Sequence, residues 1–187
     1  MKMLKLLPLA ILSLVFSSAS FAQMEKEKTV EVGGAAMYSS KNIVENAVNS
    51  KDHTTLVAAV KAADLVETLK SDGPFTVFAP VNSAFDKLPA GTVENLLKPE
   101  NKSMLAGILT YHVVAGKWDS KSIAKMIKAG NGTAEVTTVA GGKLWIMMNG
   151  NDVMLKDEKG GMAKITIKDV NQKNGVIHVI DGVLMPK

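Results

Sequence analysis

The sequence of 187 residues contains no cysteine, and all 22 of its basic side chains are lysine, without a single arginine. The lack of cysteine excludes a disulfide framework, a thiolate metal site and a cysteine nucleophile. The lack of arginine removes the planar guanidinium group that recognises guanine and carboxylate groups through two parallel hydrogen bonds. We therefore expect no binding to nucleic acid.

The first 22 residues have the pattern of a secretory signal peptide. Lys2 and Lys5 precede an apolar run over residues 6–16, and the segment ends with Ser20-Phe21-Ala22. A charged start, about 7–15 apolar residues and small side chains before the cleavage site define such a peptide. A membrane-spanning helix needs about 20 apolar residues, and serines interrupt this run before it reaches that length. We expect cleavage near Ala22, a secreted or periplasmic protein, and no transmembrane segment in the mature chain.

The remaining chain is predicted to contain a lead-in and one domain. Residues 23–41 mix charged side chains, glycines and serines without apolar periodicity, which predicts a flexible lead-in. From residue 42 to residue 129 apolar side chains recur mainly at helical spacing, with one strand at 75–79. Beyond residue 133 apolar and polar side chains alternate between turns rich in glycine and asparagine. Helices followed by a strand meander are typical of the α+β class, and we assign residues 42–187 to one domain.

Three segments of this domain resemble a known family. They are Phe75–Phe85 (FTVFAPVNSAF), Leu109–Val114 (LTYHVV) and Gly175–Pro186 (GVIHVIDGVLMP). In this order and spacing they resemble the two homology boxes and the intervening Tyr-His motif of the fasciclin domain. The resemblance covers residues 42–186. It implies a wedge-shaped β-sandwich with a helical layer packed from the N-terminal half.

The two boxes also predict buried strands from their own side-chain patterns. In the first box, Val77 and Ala79 face one way and Phe78 faces the other, because successive strand residues point to opposite faces. In the last box, apolar residues on both faces of 176–180 predict a central strand that is buried on both sides. We accordingly expect His178 to be a core residue.

The resemblance implies a non-enzymatic adhesion or interaction module without a cofactor. Fasciclin domains usually belong to secreted or surface proteins that mediate cell adhesion or contacts with the extracellular matrix. The expected partners are extracellular or envelope proteins or polysaccharides. The alternative function is a carrier of a small apolar ligand, held in a pocket between the helices and the sandwich near Met104 and Tyr111.

Four residues are candidates for partner binding. Tyr111 and His112 form the Tyr-His motif, whose neighbourhood serves receptor adhesion in related animal domains. Asp169 and Val170 occupy the place of the acidic and aliphatic pair in an adhesive pentapeptide of animal relatives, Glu-Pro-Asp-Ile-Met. The alternative is structural, with His112 as a neutral imidazole that donates to a backbone carbonyl and Asp169 as a cap at a strand end.

Catalytic and metal-binding patterns are incomplete in this sequence. No two of the three histidines are close enough for a ligand pair, and we expect His53 to be solvated beside a helix start. Ser122 and Lys125 form the SxxK string of serine acyl-transferring enzymes, but the companion SDN and KTG strings are missing. We therefore predict no catalytic site and no metal site.

Overall fold

The computed structural model describes Glu27 and residues 29–187. The predicted signal peptide and its cleavage site near Ala22 lie outside these described residues. None of the described helices is long and apolar enough to cross a membrane.

Short helices occupy most of the domain before residue 130. The described chain forms seven α-helices, which are α1 (Ile43–Ala47), α2 (Thr54–Ala62), α3 (Val66–Lys70), α4 (Asn82–Phe85), α5 (Thr92–Leu96), α6 (Lys102–Tyr111) and α7 (Ser120–Ala129). Asn42 accepts a hydrogen bond from the Glu45 amide at the start of α1, and Asp119 accepts one from the Ser122 amide at the start of α7. These side chains satisfy amides that the first turn of a helix leaves without partners.

Nine strands are present among the described residues. They are β1 (Thr29–Val32), β2 (Ala35–Tyr38), β3 (Phe75–Pro80), β4 (Val113–Ala115), β5 (Thr133–Thr137), β6 (Lys143–Asn149), β7 (Asp152–Lys156), β8 (Met162–Gln172) and β9 (Gly175–Ile180). Strands β1 and β2 form a hairpin, and the others form one sheet in the order β4-β3-β9-β8-β7-β6-β5. The pair β3–β9 is parallel and the other pairs are antiparallel. The first and last boxes therefore lie side by side, and the predicted α+β class is confirmed.

The two edges of the large sheet approach each other. Val114 of the edge strand β4 forms a bridge with Thr138, which directly follows the other edge strand β5. The Val139 amide also donates to the Val113 carbonyl at 2.7 Å. These contacts bend the sheet around a core, in keeping with the fold that the resemblance implies.

The central strands separate two hydrophobic clusters. Val77 and Ala79 belong to the first cluster, together with residues of α1, α2 and α6, whereas Phe78 belongs to the second cluster with residues of α7 and β5–β8. Every residue of β9 is buried. The predicted alternation in the first box and the predicted burial of the last box on both faces are confirmed.

The β1–β2 hairpin lies within the predicted flexible lead-in, so the structure corrects the expectation that order begins at residue 42. Its turn places Gly33 and Gly34 at φ +60° and +72°, which glycine adopts readily. Met37 is buried in the first cluster, and the Asn46 side chain exchanges hydrogen bonds with both backbone groups of Tyr38. The sequence did not reveal the hairpin because each strand has only four residues and both strands also pack on β8, which is distant in sequence.

Candidate functional site

Tyr111, the last residue of α6, is fully buried in the second cluster. Its hydroxyl donates a hydrogen bond to the Lys143 carbonyl at 2.6 Å and accepts one from the Glu158 amide at 3.1 Å. Burial raises the pKa of Tyr111 to about 12, so the hydroxyl remains protonated. The side chain therefore joins the end of α6 to the start of β6 and to the turn after β7.

His112 is buried beside Tyr111, and both of its ring nitrogens are engaged by the backbone. Nε2 accepts a hydrogen bond from the Leu184 amide at 3.0 Å. Nδ1 lies 2.8 Å from the Ile108 carbonyl, to which it must donate because Nε2 is the acceptor. Burial lowers the pKa of His112 to about 4, which keeps the ring neutral. These are the contacts predicted for a structural imidazole.

The turn between β7 and β8 binds the C-terminal segment, residues 184–187, to which His112 is also bound. The Met185 amide donates to the Asp157 carboxylate at 2.9 Å, and the Lys187 amide donates to the Glu158 carboxylate at 3.2 Å. The pKa of Glu158 is lowered, chiefly by the hydrogen bonds its carboxylate accepts from backbone amides. The Tyr-His motif and this turn therefore fasten the chain that leaves the last box.

Asp169 and Val170 lie at an irregular part of β8, where its register with β9 shifts. Asp169 adopts a left-handed conformation at φ +60°, which is uncommon for a residue with a side chain. Its carboxylate accepts hydrogen bonds from the Ser120 amide at 2.6 Å and from the Ser120 hydroxyl. Val170 is completely buried in the first cluster. The acidic side chain thus supports the start of α7, and the aliphatic one is part of the core.

His178 connects this part of β8 to the loop before α7. Its Nδ1 accepts from the Asp169 amide at 3.3 Å, and its Nε2 donates to the Trp118 carbonyl at 2.8 Å. The ring stacks on Phe78 with the two centroids 5.9 Å apart. Burial lowers the pKa of His178. The prediction that His178 is a satisfied core residue is confirmed.

The four candidate binding residues therefore occupy two separate places. His112 holds the C-terminal segment and Tyr111 holds the adjoining β7–β8 turn. Asp169 and Val170 instead support α7 and the first cluster. No hydrogen bond between described residues joins one pair to the other. Binding by these residues stays a prediction, and the burial of Tyr111, His112 and Val170 favours an indirect role in which they shape the surface around them.

The prediction that His53 is solvated is wrong. The residue closes the 3₁₀ turn Lys51–His53 in front of α2 and is only 1% exposed. Its Nδ1 lies 2.9 Å from the Ser50 hydroxyl, which is also buried. Burial lowers the pKa of His53. The sequence places the histidine beside a helix start, but only the packing of that turn decides which way the ring points.

Within residues 29–187, no group of three histidine, aspartate or glutamate side chains is arranged to hold a metal ion. The SxxK string lies on α7, where the Ser122 amide donates to Asp119 at 2.8 Å and Lys125 is exposed. No hydrogen bond in the described chain links the Ser122 hydroxyl to Lys125. Ser122 therefore supplies an amide that Asp119 caps, and Lys125 lies on the exposed side of α7.

A cavity of about 90 Å³ lies between the helical layer and the central strands. Its wall is almost entirely apolar and includes Leu56, Val60, Leu69, Val77, Leu109 and Ile177. Left unfilled, a cavity of this size costs about 2 kcal/mol, at roughly 24 cal/mol per Å³. The alternative prediction located a pocket near Met104 and Tyr111, but Met104 is 59% exposed and Tyr111 faces the second cluster. The cavity instead adjoins the first cluster.

The outer face of β5–β8 forms a second candidate surface, which we call the Trp145 face. It consists of the outward side chains Glu135, Lys143, Trp145, Met147, Asp152, Met154, Lys156 and Lys164. Trp145 lies opposite Lys156 and Met147 lies opposite Met154 in the β6–β7 register. Alternate residues such as Leu144 and Leu155 point inward and are fully buried.

Charged side chains surround the apolar centre of the Trp145 face. Lys143 pairs with Glu135 at 2.8 Å, and Lys164 pairs with Asp152 at 2.7 Å. Lys156 has no carboxylate partner within the described part of the chain. A shallow depression of about 580 Å³ lies beside Trp145, next to Lys156 and the β7–β8 turn. The face thus combines an aromatic ring, two methionines and a cation free to meet an external group.

Comparison with known proteins gives a consistent result. The family model described as the Fasciclin domain matches residues 51–186. Protein sll1483 of Synechocystis sp. is 49% identical over 172 residues, which cover 90% of this chain and 87% of that protein. The cell surface glycolipoprotein MPB83 of Mycobacterium bovis is 34% identical over 170 residues, covering 88% of this chain and 70% of its own.

A solved structure shares the fold. It is a FAS1 domain pair from the insect cell adhesion molecule fasciclin I, with a TM-score of 0.54 and 24% identity. The match covers 70% of this chain and 43% of that one. At this level of identity the likeness concerns the fold alone.

Proposed function

Because the chain belongs to the fasciclin domain family, we propose that it is an exported, non-enzymatic interaction module that binds an envelope or extracellular protein or polysaccharide. One relative supports a place outside the cytoplasm, since it is a cell surface glycolipoprotein. The signal-peptide pattern of residues 1–22 supports the same location.

The Trp145 face is the observation that carries this proposal. Interfaces between proteins commonly have an apolar, aromatic and methionine-rich centre inside a polar rim. Trp145, Met147 and Met154 provide such a centre, and the paired lysines provide the rim. Tyr111 supports this surface indirectly, because its hydroxyl holds the Lys143 carbonyl at the start of β6. One hydrogen bond, from Tyr111 to Lys143, thereby connects the Tyr-His motif to the Trp145 face.

Affinity capture with variants tests this function. Tagged protein carrying Trp145→Ala or Lys156→Glu should retain less material from the native envelope or culture medium than the parent chain does. Lys128→Glu is a matched control, since Lys128 is exposed on α7, which packs on the other side of β5 and β6. Equal capture by all variants, with unchanged folding, would contradict the proposal that this face binds the partner.

A second candidate function is the carriage of a small apolar ligand. The cavity beneath the helices favours it, because native interiors contain few voids larger than a water molecule. Mass spectrometry of gently purified protein provides the test. A reproducible co-purified small molecule would support carriage, and its consistent absence from protein isolated from the native host would contradict it.

A further inference from the structure

The polar atoms around the cavity indicate what kind of ligand it accepts. Four residues in its wall have polar side chains, namely Lys61, Thr68, Thr110 and His112. The Thr110 hydroxyl donates to the Ala106 carbonyl at 2.7 Å, and both nitrogens of His112 are engaged. Lys61 and Thr68 are exposed at the protein surface. Within the described wall, therefore, no polar side chain is left inside to bind a polar ligand atom.

This lining disfavours polar occupants. A polar ligand group buried without a hydrogen-bond partner is unfavourable, and an internal water needs two to four polar partners. Apolar cavities of about 150 Å³ in other proteins stay dry and bind benzene or xenon. A cavity of about 90 Å³ accommodates a few carbon atoms of a ligand without any movement of its wall.

The outer wall of the cavity is its weakest part. Helix α3 has five residues and none of them is fully buried, and its lining residues Val66 and Leu69 are half-buried. On α1, the lining residues Val44 and Ala47 are also half-buried. A short helix with few buried side chains opens at a lower free energy than the core strands on the opposite wall. The contact between α1 and α3 is therefore the part of the wall that opens most easily.

We propose, building on the second candidate function, that the cavity binds the hydrocarbon end of a lipid-like molecule. The chain enters between α1 and α3 and contacts Val77 and Ile177 on the central strands. Any polar group of the molecule stays outside, next to the exposed Thr68 of α3. The site thus recognises length and apolar character, and it requires no specific headgroup.

Competition between two alcohols tests this inference on the unmodified protein. The neutral dye N-phenylnaphthylamine, which fluoresces in apolar surroundings, should bind saturably. Octanol should displace it, whereas the octanediol with a hydroxyl at each end should not, because one hydroxyl would have to enter the apolar cavity. Equal displacement by both alcohols, or no saturable dye binding, would overturn the inference.

Two variants, each replacing one alanine by leucine, locate the site. Ala47→Leu adds a side chain into the cavity and should weaken dye binding by at least about tenfold. Ala58→Leu is the matched control, because Ala58 is exposed on α2 and does not line the cavity, and it should bind the dye as the parent does. Unchanged dye binding by a folded Ala47→Leu protein would place the dye elsewhere and overturn the assignment.

Different results would contradict the proposed ligand chemistry and the proposed carrier function. A co-purified molecule with polar groups at both ends would support carriage but overturn the hydrocarbon inference. Saturable binding of dye and octanol, with no molecule co-purifying from the native host, would support the hydrocarbon site and overturn carriage.

Discussion

The Leu184 amide donates a hydrogen bond to Nε2 of His112 at 3.0 Å, so the end of α6 and the segment after β9 share one buried contact. The ring can accept this bond only when Nε2 carries no proton. Protonation would leave the Leu184 amide without its acceptor and would place a charge in an apolar interior. The neutral form of His112 is therefore part of the folded structure.

Because of this contact, the protein should become less stable as the pH falls. The pKa of His112 is about 4 in the folded protein, and an unfolded histidine has a pKa near 6.5. Between these values the unfolded chain binds more protons. The free energy of unfolding should therefore decrease as pH falls from about 6.5 to about 4, with a slope approaching about 1.4 kcal/mol per pH unit.

Urea denaturation across this pH range measures the effect, and His112→Gln is the control. The variant cannot titrate at this position, so its stability should depend less steeply on pH. A residual slope is expected, because burial also lowers the pKa values of His53 and His178. The same slope in parent and variant would show that His112 does not couple protonation to unfolding.

Phe78 should be among the most sensitive core positions. Its side chain is 1% exposed and stacks on His178 of the neighbouring strand β9. Phe78→Ala should reduce the free energy of unfolding by about 3–5 kcal/mol. Val48→Ala, at a position that is 48% exposed, should change it by less than about 0.5 kcal/mol. Similar urea midpoints for the two variants would refute the assignment of Phe78 to the core.

Asp169 should act on stability through α7. Asp169→Ala removes the acceptor of the Ser120 amide and hydroxyl and should cost about 1–3 kcal/mol, the usual effect of leaving a partly buried donor without a partner. Asp169→Asn keeps an acceptor and tolerates a left-handed backbone, so it should cost less. Thermal unfolding of both variants provides the measurement. Equal melting temperatures for Asp169→Ala and the parent chain would mean that the carboxylate does not support the helix.

Several parts of this fold could be predicted because local chemistry decides them. In the sequence the helical pattern of α7 begins at Ser120 and ends before Gly130. The structure places the helix at Ser120–Ala129. Apolar side chains on both faces predicted the buried β9. In both cases the sequence pattern and the packing point to the same result.

Other parts depend on contacts between residues far apart in sequence. The sequence predicts that Asp169 binds a partner or caps a strand end, and only its contact with Ser120 and the register shift of β8 explain its positive φ. His53 is buried by a turn whose orientation no local pattern determines. The cavity and the Trp145 face also escape sequence patterns, because each is assembled from several elements whose relative placement is tertiary.

Export makes a simple prediction about the N-terminus. If residues 1–22 are a cleaved signal peptide, the exported protein should begin at Gln23. Amino-terminal sequencing of protein from the periplasm or the culture medium checks this directly. Exported soluble protein that retains Met1 would contradict cleavage.

Site-specific photocrosslinking in the native host tests most directly whether the Trp145 face binds the partner. A photoreactive residue introduced at Met147 lies in the centre of that face, and one introduced at Lys128 lies on α7. We predict that irradiation of intact cells links the protein to an envelope or extracellular component from Met147 but not from Lys128. Adducts that form equally from both positions, or only from Lys128, would contradict the assignment of the Trp145 face as the binding surface.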